Sequence, residues 1–150
     1  MLRVIIGYIV AVLATYVVGT MVISQINLAS VEALGAPIDW SVRIDAMVHD
    51  ALHMYDIYLP LVAISFLIAL PVAGLIIRWQ PNLRLVGYVL AGFVGLIAIH
   101  VLMKAMLGMS GVAATRTMLG LIAQGVSGAV GGYLFHRMTL KAADKSPESA

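Results

Sequence analysis

The sequence predicts an all-α protein, a four-helix transmembrane bundle with one short amphipathic helix at the membrane interface in its first outer loop. Three observations predict it. Of 150 residues, 62% are hydrophobic and only 11% charged, against about a quarter charged in a soluble domain. The mean hydropathy is +1.03. Four apolar runs each reach the roughly 20 residues needed to cross a bilayer core, and they use most of the chain. Residues 1–150 are therefore read as a single integral membrane domain.

The first span is placed at residues 4–24, after a lone Arg3. A secretory signal has an apolar region of only about 7–15 residues. This run continues well past Ala14, the best cleavage point, so the segment is read as a retained helix. The second span is placed at 58–77, with Pro60 at its start, where a missing N–H costs little, and Pro71 inside it, where a bend is expected. The third is placed at 85–107, behind the polar turn Arg78-Trp79-Gln80-Pro81-Asn82-Leu83-Arg84, so spans two and three form a tight hairpin. The fourth is placed at 112–135, between Gly108-Met109-Ser110-Gly111 and His136-Arg137. From about residue 138 the polar tail reads as disordered.

Sidedness follows from the basic residues, because cytoplasmic loops carry the excess of Lys and Arg. Arg3, Arg78, Arg84, Arg137, Lys141 and Lys145 fall on one side; Arg43, Lys104 and Arg116 fall on the other, with Glu32, Asp39, Asp45, Asp50 and Asp56. Both termini are expected in the cytoplasm, and a bacterial inner membrane is the expected location. The outer loop is then 25–57. Within it, 27–37 reads as loop, Asp39 or Ser41 as a helix cap, and 41–55 as an amphipathic helix on the outer surface. Trp40, Tyr55 and Tyr58 suit the headgroup layer.

Helices in lipid associate through close packing of small residues. Gly7, Ala11, Thr15 and Gly19 repeat every four residues in the first span; Gly87, Ala91 and Gly95 do so in the third; Gly120, Gln124, Gly128 and Gly132 do so in the fourth. Each row makes a shallow groove. Packing within one bundle is the default reading, and a contact between copies through the fourth span is the alternative. Gln124, polar and near mid-span, is expected to form an interhelical hydrogen bond, with a polar ligand as the alternative.

Two further groups could carry chemistry. Asp45, His49 and His53 are spaced four apart, and two imidazoles at that spacing can share a metal ion with a carboxylate ligand or orienter. The default reading is a solvated polar face; a pH-responsive surface is a third option. From Arg84, a rise of 1.5 Å per residue puts His100 roughly 24 Å and Lys104 roughly 30 Å across, near the outer edge. Arg116 enters from the other side at similar depth. These cations either snorkel to headgroups, pair with Asp56 or Asp50, or form a functional outer-face polar cluster.

Several classes are excluded or disfavoured. With Cys 0 there is no disulfide, thiol or iron–sulfur chemistry. A net charge of +2, scattered along the chain, argues against a nucleic-acid partner. No nucleophile elbow, HExxH pattern or phosphate-binding glycine loop occurs, so an enzyme is not expected. No Asp or Glu lies inside a span, which disfavours carboxylate-coupled transport. The expected function is a non-enzymatic accessory, scaffold or lipid-interacting membrane protein, whose partners are the lipid bilayer and possible assemblies with itself or another membrane protein. The alternatives are a small oligomeric transporter or channel subunit, and a metal- or haem-binding redox protein. No cofactor is predicted on the default reading.

Overall fold

The computed structural model describes residues 2–108 and 113–140. It is all-helical over these residues, with five α-helices: α1 (Leu2–Glu32), α2 (Trp40–His53), α3 (Tyr55–Trp79), α4 (Arg84–Leu107) and α5 (Met118–Thr139). Helices α1, α3, α4 and α5 are each long and apolar enough to cross a membrane. The chain thus has the helices of a multi-pass membrane protein. Its outward surface agrees: large apolar side chains such as Leu13, Leu67, Ile76 and Leu102 are at least half exposed, which water would not tolerate over so wide an area.

The four long helices pack in the order α1, α5, α4, α3, with the closest association between α4 and α5 and only a sparse seam between α1 and α3. Glycines set the first of these contacts. A side chain at Gly92 of α4 would strike the Gly128 backbone of α5, and one at Gly132 would strike the Tyr88 backbone. Here the backbones touch directly, as small-residue packing in lipid requires.

Several element boundaries differ from the sequence-based expectation. Helix α1 does not stop near residue 24; it runs to Glu32, so part of the expected loop is helical. Its polar last turns meet no Gly or Pro before Gly35, which adopts φ 92° and ends the segment as a left-handed stop. Helix α2 begins at Trp40 with Asp39 as N-cap, though the Asp39 side chain makes no capping bond. The break before α3 is a single residue, Met54. Pro60 is therefore well inside α3 rather than at its start, and it leaves the Asp56 carbonyl without the usual helical donor. The fourth long helix starts at Met118, after a 3-10 turn at Ala113–Arg116. Thr117 caps it, its hydroxyl accepting from the Gly120 N–H at 3.1 Å. Val112 lies outside the described residues. Helix α5 continues to Thr139, and residues 141–150 of the expected tail lie outside the described residues.

Helix α2 runs back along the upper half of α1. The Arg43 guanidinium donates to Gln25 Oε1 at 3.0 Å and pairs with Glu32 at 2.5 Å. One turn from its other end, the Ala51 carbonyl accepts from the Tyr16 hydroxyl at 2.7 Å. These contacts fix an antiparallel α1–α2 pair, with Arg43, Met47, Asp50 and Met54 partly covered and Trp40, Ile44, Val48 and Leu52 exposed.

Candidate functional site

The polar residues of the spans converge on one buried node. Tyr58 and Gln124 are both completely buried. The Tyr58 hydroxyl donates to Gln124 Oε1, and Gln124 Nε2 donates to the Gly19 carbonyl at 3.2 Å. One side chain on α3 and one on α5 are thereby tied to the backbone of α1. Gly19 is required at this point: any Cβ would occupy the space of the Tyr58 hydroxyl. Tyr16 stacks obliquely on Tyr58 with ring centres 5.9 Å apart, and His100 of α4 approaches the other side at 6.4 Å. All four long helices contribute.

Tyr58 was expected among headgroups on its aromatic, amphipathic character. Its hydroxyl instead finds an amide in the interior, which lets the ring be buried without an unmet donor. Tyr16 carried no sequence signal beyond being an aromatic in an apolar run. Gln124 was legible because it is the one amide in mid-span.

His100 is buried. Its Nδ1 lies 2.7 Å from the Leu96 carbonyl, which accepts, while Nε2 has no hydrogen-bond partner among the described residues. The hydroxyls of Thr15, Ser24 and Ser65 are likewise buried and unpaired among the described residues. Lys104, one turn beyond His100, is exposed, as is Arg116. Neither forms an ion pair among the described residues, where the pairs are Arg43–Glu32 and His49–Asp50. The outer-face residues are thus divided: His100 joins the interior, whereas Lys104, Arg116 and Asp56 stay on the surface.

Asp45, His49 and His53 are exposed on α2. The two imidazoles stack with ring centres 4.1 Å apart and planes 17° from parallel. His53 Nδ1 lies 2.8 Å from the His49 carbonyl, and His49 Nδ1 lies 3.7 Å from Asp50. Among the described residues no three His, Cys, Asp or Glu side chains are grouped to hold a metal ion.

The glycine rows face different neighbours. Gly7 meets Met138 and Thr139 of α5; Gly87 and Gly95 meet Ile77, Ser65 and Ala69 of α3; Gly120 meets the Ala114 backbone; Gly128 and Gly132 meet α4. Sequence reading missed Gly92, Gly125 and Gly131. Gly131 fits against Thr15, Phe66 and Ala11, so it joins α5 to both α1 and α3.

Among the described residues, cavities open on the outer surface of the helices at two places. One of about 530 Å³ lies between α3 and α4 beside Gly87, Ala91 and Gly95. The other, about 810 Å³, opens where α1 and α3 meet sparsely and ends at Arg78 and Arg84.

Together these features describe a multi-pass membrane protein whose polar interior is closed and whose open spaces lie along its apolar flanks. The chain matches no family model, no curated protein and no solved structure.

Proposed function

We propose that this chain is a non-enzymatic four-helix transmembrane bundle that acts as an accessory, scaffold or lipid-interacting protein. One observation carries the reading: the Tyr58–Gln124–Gly19 node is sealed and spends its polar groups on holding three helices together. Such bonds in lipid stabilise by about 0.6–2 kcal/mol each. A catalytic or permeation site needs polar groups that a substrate can reach. The two cavities described above have largely apolar walls, with Arg78 and Arg84 at the end of one, and suit acyl chains or an apolar helix.

On this reading both termini are cytoplasmic, in a bacterial inner membrane. Arg3, Arg78, Arg84 and Arg137 would lie at the inner boundary, in keeping with the positive-inside bias. The exposed stripe Trp40, Ile44, Val48 and Leu52 of α2, spaced four apart, would face the outer headgroup layer, with Asp45, His49 and His53 turned toward water. Purification in mild detergent followed by mass spectrometry of bound proteins, lipids and metals tests the reading. A protein or lipid passenger is expected, and alanine at His49, His53 and His100 should leave its recovery unchanged. A stoichiometric haem or metal ion would overturn it.

A second reading, a small transporter subunit, draws on His100 Nε2 and the hydroxyls of Thr15, Ser24 and Ser65, which are unpaired among the described residues. Buried polar atoms of this kind raise a functional hypothesis inside a membrane. His100→Leu separates the two: the accessory reading expects a folded, functional protein, and the transport reading expects loss of flux.

A further inference from the structure

We infer that the cavity between α1 and α3 is a binding site for one anionic phospholipid, its phosphate held by Arg78 and Arg84 and an acyl chain lying in the cavity. The inference rests on the lipid-interacting form of the function proposed above and names the ligand class.

The cavity has the shape of a lipid tail slot. Its walls come from Val4 and Ile5 of α1 and Leu67 and Leu75 of α3, and its floor includes Phe135 of α5. From Arg78 to Leu67 is eleven residues of helix, about 16 Å at 1.5 Å per residue. That is close to half of a hydrocarbon core of about 30 Å, the depth of a single leaflet. The volume of about 810 Å³ lies within the range of about 300–1,000 Å³ usual for small-ligand sites. The seam is open because α1 and α3 touch sparsely, so a lipid can enter sideways from the bilayer.

The charge at its mouth selects the headgroup. Arg84 is fixed in place: its Nη2 donates to the Thr139 carbonyl at 2.8 Å and to Thr139 Oγ1 at 3.1 Å. Its guanidinium sits 5.9 Å from the Tyr88 ring centre. Among the described residues its other two nitrogens bond nothing. Arg78 is exposed and has neither an ion pair nor a hydrogen bond among the described residues. Arg3 and Arg137 lie at the same helix ends, whereas every carboxylate among the described residues belongs to the segment from Glu32 to Asp56. Among the described residues these four positive charges thus have no counter-ion. A phosphodiester matches the planar fork of arginine, and the apolar slot beneath it favours a lipid over free phosphate. The cavity between α3 and α4 has no charged lining residue and offers no such choice of headgroup.

The test is native mass spectrometry of the full chain in mild detergent, titrated with phosphatidylglycerol or with phosphatidylcholine of the same chain length. One phosphatidylglycerol per protein should be retained in preference to phosphatidylcholine. Arg78→Gln should weaken phosphatidylglycerol by about 5-fold, the effect of one basic residue at an anionic surface, and leave phosphatidylcholine unchanged. Leu75→Trp, which places an indole in the slot from an exposed position, should weaken both. Circular dichroism checks that the variants stay helical. Equal retention of the two lipids by the wild type, or an unchanged preference in Arg78→Gln, would overturn the site. That result would leave the accessory reading standing, whereas a bound haem or a measured flux would overturn the accessory reading and not the lipid site.

Discussion

Replacing Tyr58 with Phe removes a single hydroxyl from a place where no water can take over its role. Tyr58 and Gln124 are both completely buried, and the lost donor leaves Gln124 Oε1 stranded. A buried polar atom left without a partner costs about 1–3 kcal/mol. Gln124→Leu should cost about the same, because it strands the Tyr58 hydroxyl. The double variant strands neither, so its destabilisation should fall short of the sum of the two by about 0.6–2 kcal/mol, the worth of an interhelical hydrogen bond in lipid. Equilibrium unfolding by sodium dodecyl sulfate in mixed micelles, followed by far-ultraviolet circular dichroism, measures all three. Tryptophan fluorescence would serve poorly, since Trp40 and Trp79 are 80% and 90% exposed and sit away from the node. Additivity to within about 0.3–0.5 kcal/mol would refute the coupling.

Other substitutions probe the rest of the fold. Gly128→Val should push α4 away from α5, since its side chain would meet the Gly92 backbone; a loss of about 3 kcal/mol or more is expected by the same unfolding assay, at the upper end for overpacking. Gly108→Ala meets nothing within 4 Å among the described residues but must hold φ 67°, so a cost of about 1–2 kcal/mol is expected from the left-handed backbone. Glu32→Gln breaks the ion pair with Arg43, whose partners are partly exposed; a change of less than about 1 kcal/mol, shrinking in high salt, should follow. His49→Ala with His53→Ala should shift stability by no more than about 0.5 kcal/mol, as for other surface changes. Zinc or a chelator should leave the melting temperature of the wild type where it was.

The apolar spans were legible because length and hydropathy alone define them. Their ends were less so, and for specific reasons. Gln25, Asn27, Ser30 and Glu32 interrupt the apolar run of α1, so the run stops while the helix does not; the true stop signal was Gly35. At the start of α5, Ala113, Ala114 and Thr115 suit a helix, yet the backbone takes a 3-10 turn until Thr117 supplies a cap. In the site, Gln124 stood out as a mid-span amide, but its partner did not. Tyr58 is as suitable for a headgroup layer as for a core, and only the opposing Gly19 surface and the Gln124 amide decide between them. The glycine rows present the same ambiguity. Helix α4 carries small residues on two faces, and periodicity cannot tell that Gly92 turns to α5 while Gly87 and Gly95 turn to α3. His100 and Lys104, one turn apart, look equivalent in sequence; packing against Tyr58 buries the first and leaves the second on the surface.

Because the chain contains no cysteine, single cysteines can report the arrangement of the helices in the membrane without a background. A membrane-impermeant maleimide applied to intact bacterial spheroplasts should label Ala36→Cys, between α1 and α2. It should label Gln80→Cys, between α3 and α4, and Leu140→Cys, after α5, only once the membrane is broken. Ser127→Cys, in the sealed interior, should stay unlabelled until the protein is denatured. Labelling of positions 36 and 80 from the same side, or of position 127 in the folded protein, would contradict a four-span protein with a closed polar core.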